Sequence, residues 1–341
     1  DFLEQFARLV EQAGFVFARE DLINLHVCVK TGQLTVLAGM SGTGKSSLPR
    51  LYAEALGCGE EYLHVPVRPD WLDDRDLIGA FNAVAQRFEP APSGLVERLI
   101  AAAEDRLHHR GGIYLICLDE MNLARVEHYF AQFLSVLELP PARRYLTLFS
   151  QGLAPADDPY RDYHRILLGD NVRFLGTVNI DETTHFFSPK VLDRSQVVAF
   201  GAPNLEAPRR VAGASAKPPV PVSLDTWLSW RRPGVTESTA RAFLVRINDV
   251  LRRSRLGIGF RQFDRMLDYV ASARPFLAED RALDLQLSQV ILPRLRPTAP
   301  GFAETLQALR QVVTGDRFPR TADHLARLAE ARAEDDFFQL L

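Results

Sequence analysis

Residues 39–46, Gly39-Met40-Ser41-Gly42-Thr43-Gly44-Lys45-Ser46, carry the pattern G-x-x-x-x-G-K-[ST]. Each residue type in it answers a demand of phosphate chemistry. Glycines let the backbone wind round a polyphosphate and turn several N–H groups towards it. A following helix adds the positive end of its dipole. Lys45 is expected to reach the β- and γ-phosphates, Ser46 to hold Mg²⁺, and Ser47 to complete the binding run. Of 40 basic residues only four are lysines (Lys30, Lys45, Lys190 and Lys217), so a lysine kept inside this motif is informative.

A hydrolytic site also needs acids at the end of a second buried strand. The run IYLICLDE, residues 113–120, is the most apolar in the chain and ends on Asp119 and Glu120. Asp119 is expected to bind the magnesium through water, and Glu120 to orient and polarise the attacking water. Two carboxylates after so apolar a strand are costly to bury without a cation or donors. The plain alternative is a solvated strand end entering a loop. An Asp-Glu pair favours a hydrolysing machine over a kinase, which needs no water activator.

Asn179 closes the strand RFLGTVN, at the edge where open α/β sheets bind ligands. It is a candidate to hold the attacking water opposite Glu120, against an ordinary turn role before Ile180-Asp181. Arg194, in SPKVLDRSQ, is the candidate finger reaching a neighbour's nucleotide. Arg261, in GIGFRQFDRML, is a candidate contact to the γ-phosphate from the lid side, with Arg265 close enough to compete. Arg68 and Arg125 read as structural or interface residues. The eight histidines show no metal-binding spacing and read as structural or surface groups.

The elements that must position these residues are legible as alternating patterns. Residues 20–31 have helical spacing. LTVLAG, YLHVPV, IYLICLDE, NVRFLGTVN and QVVAFG read as strands, with IYLICLDE central, and LPRLYAEAL as a helix stopped by Gly57. Pro49 is awkward near the first turn of that helix. Residues 93–109 and 124–138 read as helices, and RYLTLFS with HRILL as a hairpin. Strands alternating with helices predict an α/β fold with a mainly parallel sheet. The prolines and small residues of 202–222 predict a linker. Beyond it, 236–254, 260–274, 279–292, 302–314 and 319–333 all read as helices, a helical domain over 223–341.

The 341 residues predict about two domains at roughly 150 residues each. With 47% hydrophobic and 24% charged residues and net charge −3, the composition is that of a soluble globular protein. No segment approaches the ~18–20 unbroken apolar residues of a membrane span. Residues 1–14 mix acids and bases and do not read as a signal peptide. The three widely spaced cysteines form neither a disulfide framework nor a zinc knuckle, which fits a reducing cytoplasm. A start at Asp1 is expected of a piece of a longer or processed chain.

Phosphate loop, Asp-Glu strand, Asn strand and late arginine follow one another in the order of the AAA+ ATPases, which the chain resembles over residues 20–275. PDWLDDRDLIGAFNAVAQRFEP resembles the insertion in the second helix that marks the McrB, MoxR and dynein-related branch. LDEMNLARVEHYFAQFLSVLE and VNIDETTHFFSPKVLDRSQVVAF resemble McrB-like proteins in particular, and GIGFRQFDRMLDYV the lid segment that carries their sensor arginine. The resemblance implies an N-terminal helical segment (1–19), a P-loop NTPase core over 20–201, and an all-helical lid. The core would contain the insertion (about 70–91) and a hairpin (about 144–168), both moving parts. It further implies a homo-oligomeric ring, usually a hexamer, with nucleotide at subunit interfaces and substrate in a central pore.

McrB-type proteins are GTP-using motors of nucleic-acid restriction complexes, partnered with a nuclease subunit. This chain shows no nuclease constellation, residues 1–19 hold no DNA-reading domain, and VNIDETTH differs from the NTAD-like segment associated with guanine use. ATP with Mg²⁺ is therefore expected, and GTP is the alternative. Three readings follow: a defence motor acting on nucleic acid with a nuclease or other effector, a MoxR-like chaperone acting on protein or inserting a cofactor, and a nucleotide-switched scaffold. The charge gives the first no global support, and the intact Glu120 argues against the third. Arg252-Arg253-Arg255 reads as a solvated helix face.

Overall fold

The computed structural model describes residues 2–180, 185–201, 219–235, 237–254, 256–295 and 301–330. Its strands, in chain order, are β1 (Leu34–Gly39), β2 (Tyr62–Pro66), β3 (Gly79–Asn82), β4 (Arg87–Pro90), β5 (Tyr114–Asp119), β6 (Tyr145–Thr147), β7 (Arg165–Leu167), β8 (Val172–Asn179) and β9 (Gln196–Ala199). Five of them make one sheet in the order β2-β5-β8-β1-β9. Every neighbouring pair in it is parallel. β5 is interior, as its apolar run predicts, but the middle position belongs to β8, buried from Val172 to Val178. Parallel strands covered on both faces need continuous apolar runs, which is why these segments lack alternation.

The register gathers the strand ends. Gly39 stands opposite Asn179, and Pro66 opposite Asp119. The phosphate loop, Glu120 and the end of β8 thus leave the sheet at one edge. Gln196 pairs with Thr35, so the chain before β9 enters at the other edge.

The helix Arg19–Thr31 is buried at every residue from Leu22 to Thr31, so beyond its first turn it has no solvent face. β8 reaches it on one side, where Arg173 Nε donates to the Val29 carbonyl at 3.2 Å. The C-terminal helices meet it on the other. Asn24 Oδ1 accepts from Tyr269 Oη at 2.6 Å and from Gln289 Nε2 at 2.7 Å, and Lys30 Nζ donates to the Ser272 carbonyl at 3.2 Å. The sequence pattern shows the helix but not that its polar residues are interior partners.

Beyond residue 222 the described elements are all helical: Leu224–Ser229, Thr239–Arg253, Phe260–Ala273, Glu279–Gln286, Phe302–Val312 and Pro319–Glu330. Residues 202–218 of the expected linker, Asp181 of the expected turn, Arg255 of the basic run and residues 331–333 of the last expected helix lie outside the described residues. The helix expected over 279–292 is α-helical only to Gln286, then widens to a π turn (Leu287–Ile291) and tightens at Leu292–Arg294. Pro293, which lacks an N–H, accounts for the change of register there. Pro49 is not awkward: it falls in the first turn of Leu48–Leu56, where no intrahelical donor is required. The helix expected over 124–138 splits into Val126–Tyr129 and Ala131–Val136.

Asp284 is fully buried and caps the last described helix from outside it. Its carboxylate accepts from the backbone N–H groups of Arg320 (3.0 Å) and Thr321 (2.8 Å), from Thr321 Oγ1 (2.6 Å) and from Arg281 (2.7 Å). A negative charge there also suits the positive helix end.

The two expected moving parts are both antiparallel hairpins, β3–β4 and β6–β7. They touch. Phe81 and Phe88 lie 5.6 and 5.5 Å from Phe149 between ring centroids, and Phe88 lies 5.3 Å from Tyr160. Asp158, in the loop after Phe149, accepts the Phe88 N–H at 3.0 Å.

Candidate active site

The phosphate loop follows directly from β1. Gly42 and Gly44 hold left-handed conformations, φ +74° and +90°, which an L side chain adopts only with strain. At Gly42 a Cβ would meet nothing within 4 Å, so the loop keeps an open outer face; at Gly44 it would run into the Phe15 ring. Lys45 is buried, its Nζ donating to the Met40 carbonyl and, at 3.4 Å, to the Thr43 hydroxyl. Thr43 Oγ1 also donates to Met40 O at 2.9 Å. Ser46 is exposed and Ser47 half-buried in the turn that opens the helix. Left-handed glycines, a folded-back ammonium and outward hydroxyls form a donor set that fits a magnesium-bound polyphosphate.

The acids lie across the same sheet edge. Glu120 leaves β5 at φ +53°, an uncommon conformation for a residue with a side chain and one that concentrates at functional positions. This turn points it at the end of β8, where Asn179 Nδ2 donates to Glu120 Oε1 at 3.2 Å. Thr177 joins the two acids: its Oγ1 donates to Asp119 Oδ1 at 2.5 Å and accepts the Glu120 N–H at 2.9 Å. His64 Nε2 faces Asp119 Oδ2 at 3.6 Å. Asn122 Nδ2 donates to the Asn179 carbonyl at 3.3 Å, tying the turn after Glu120 to the same strand end.

The arginines are elsewhere. Arg194 stands two residues before β9, at the edge away from the phosphate loop, beside a small cavity that joins Gly32 and Gln33 to Gln262 and Arg265. A strand of six residues such as β1 spans on the order of 20 Å. Arg261, expected over the phosphates, meets Arg194 instead: the two hold opposite oxygens of Glu138, each at 3.0 Å. Burial works against the charge of Glu138, but the adjacent guanidinium of Arg194, joined by that of Arg261, outweighs it and holds its carboxyl below the ordinary value. Arg265 is near the same carboxylate, and burial, with Arg261, Arg194 and Arg231 around it, lowers its pKa. Arg68 is exposed and paired with Asp70.

Three residues of this region escape the sequence reading. Thr177 has a local signal, because alternation along β8 puts it on the same face as Asn179. Phe15 packs on Gly44 from a segment with no motif. Arg320 donates to the Ala199 carbonyl at the phosphate-loop end of β9 and pairs with Asp21 at 3.5 Å. Among the described residues no group of three or more His, Cys, Asp or Glu is arranged to hold a metal. Nor is any described helix long and apolar enough to cross a membrane.

Residues 35–195 match the AAA domain of the dynein-related subfamily, and residues 225–337 match a domain of unknown function (DUF8727). The fold is similar to that of a candidate ATPase from Cytophaga hutchinsonii, at TM-score 0.52 and 17% identity, over 85% of this chain and 86% of that one. No curated protein matches the chain. The architecture is thus that of an AAA+ core followed by a helical lid, and the matched segment is similar to the dynein-related subfamily.

Proposed function

We propose that this chain is a ring-forming nucleoside triphosphatase that hydrolyses ATP and uses the cycle to move or remodel a substrate. The observation that carries the reading is the division of labour between the two edges of the sheet. Phosphate loop, Asp119, Glu120 and Asn179 share one edge, and Arg194 stands at the other.

The loop amides and Lys45 orient the triphosphate. Ser46 and Asp119 would hold magnesium, which supplies positive charge to the phosphates when bound. Glu120, aimed by Asn179, takes a proton from the attacking water, and Thr177 fixes the spacing of the two acids. Arg194 is too far from its own loop and serves the next subunit's nucleotide, and Arg261, held on the same carboxylate, goes with it. A site completed by its neighbour requires a closed oligomer, with a hexamer the expected form.

Within this class we read the chain as the motor of a McrB-like nucleic-acid restriction system with a nuclease or other effector partner. The wording of LDEMNLARVEHYFAQFLSVLE and of the segment around Arg194 supports that reading. A MoxR-like remodeller of proteins is the second reading, and the net charge of −3 favours it by offering nucleic acid no overall attraction.

The test is phosphate release from ATP and from GTP by the purified chain and by Glu120→Gln, with particle mass measured in both nucleotides. ATP turnover that Glu120→Gln abolishes, in a multimeric particle, is the expected result. Preference for GTP would strengthen the restriction-motor reading, and turnover by a strict monomer would overturn the shared site.

A further inference from the structure

Glu138 follows the core helix Ala131–Val136, yet it joins two arginines from different parts of the chain. Arg194 forms an ion pair with one carboxylate oxygen and Arg261, from the lid helix Phe260–Ala273, with the other, both at 3.0 Å. Arg194 is further fixed by its own donation to the Lys190 carbonyl at 3.0 Å. The residue before it, Asp193, is paired with the lid residue Arg294. The lid therefore reaches the segment that carries Arg194 directly at Asp193, and at Arg194 through the shared carboxylate of Glu138.

One carboxylate among Arg194, Arg261 and Arg265 leaves net positive charge at this edge, which suits an incoming phosphate chain. Without that carboxylate the guanidiniums repel one another, and both side chains regain rotamer freedom that docking must remove again. Two ion pairs to one carboxylate restrict both arginines before a neighbour arrives. They also connect the lid to the core, so a rotation of the lid must break one bond or carry Arg194 along.

We propose that Glu138 is the positioning residue of the subunit interface, holding Arg194 and Arg261 as one unit so that the lid of one subunit sets how its arginines meet the next subunit's nucleotide. This rests on the reading that Arg194 acts on the neighbour. Glu138 itself contacts no nucleotide and acts only through the two arginines.

The test uses the full chain with Glu138→Ala, and Glu138→Gln if the first variant does not assemble. Turnover of ATP is expected to fall on the order of 10²-fold, the cost of a misplaced group, while binding of a fluorescent ATP analogue stays within about twofold. The decisive measurement mixes subunits. A Glu138→Ala subunit keeps an intact site of its own, and a Glu120→Gln subunit keeps intact arginines, so mixing the two inactive proteins should restore turnover. Mixing Glu138→Ala with Arg194→Ala should not, because both damage the donating side. Rescue by Arg194→Ala with Glu120→Gln but not by Glu138→Ala with Glu120→Gln overturns this inference alone. Failure of both mixtures overturns the action on the neighbour as well. Loss of assembly in both Glu138 variants makes the residue a plain structural one and equally sinks the proposal.

Discussion

Asn179 Nδ2 donates to Glu120 Oε1 at 3.2 Å, across the boundary between two neighbouring parallel strands. The bond engages one carboxylate oxygen and fixes the orientation of the group at this strand end. Replacing Glu120 with Gln preserves the shape and removes the proton acceptor, so turnover should fall by at least about 10²-fold, with nucleotide affinity retained. Asn179→Ala should lose roughly 10–100-fold, since the carboxylate remains but loses its aim. Steady-state phosphate release, read beside fluorescent nucleotide binding, separates the two effects.

Thr177 is buried and serves both acids with one hydroxyl. Thr177→Val keeps the volume and strands the Glu120 N–H. A cost of about 1–3 kcal/mol is expected from the unpaired group, with a further loss of turnover at unchanged nucleotide affinity. Denaturant midpoints and single-turnover rates measure each part. Thr177→Ser, which retains the hydroxyl, should recover most of the rate.

Gly44 has two reasons to be glycine, its φ of +90° and the ring of Phe15 against its α-carbon. Gly44→Ala should weaken nucleotide binding by about tenfold or more, the equivalent of 1–2 kcal/mol of left-handed strain. Adding Phe15→Ala relieves the collision but not the strain, so the double variant should recover only part of the affinity. Gly42→Ala meets no neighbour and should be the milder change. Titration with a fluorescent nucleotide ranks the variants.

Two buried histidines set an acid limit. Burial holds the pKa of His26 well below its ordinary value of 6.5, with Lys30 adding to the effect, and burial with Arg320 and Arg327 lowers that of His324 to about 4. Both are neutral in the folded chain at pH 7. As pH falls below 6.5 the unfolded chain takes up protons that the folded chain refuses, so stability is lost on acidification. For His324 the loss is complete near pH 4 and amounts to about 3 kcal/mol at most. His324→Gln should shrink the difference between denaturant midpoints at pH 7 and pH 5, and an unchanged difference would exclude His324 as a source.

Much of the core is legible in the sequence because its signals are local. LTVLAG, IYLICLDE and NVRFLGTVN are apolar on both faces, as interior parallel strands must be, and the loop residues lie within one stretch. The split at Phe130 is harder, because that ring packs on Phe133 and on Phe174 of a distant strand. The meeting of Arg194 and Arg261 on Glu138 has no local sign at all: 56 and 123 residues separate the partners, and only the packing of lid on core brings them together. Among so many arginines, type alone does not distinguish these from Arg320, which lies at the phosphate-loop end and carries no motif.

The contact between the two hairpins makes them a single mechanical unit. Val84 projects almost fully exposed from the tip of β3–β4, while Phe81 and Phe88 beneath it share Phe149 with the second hairpin. A load applied at that tip is therefore borne by two roots in the chain, one through the helix Leu95–Leu107 and one through β8. Such a forked lever is stiffer than a single arm. Any displacement of its tip is shared with the strand that ends on Asn179.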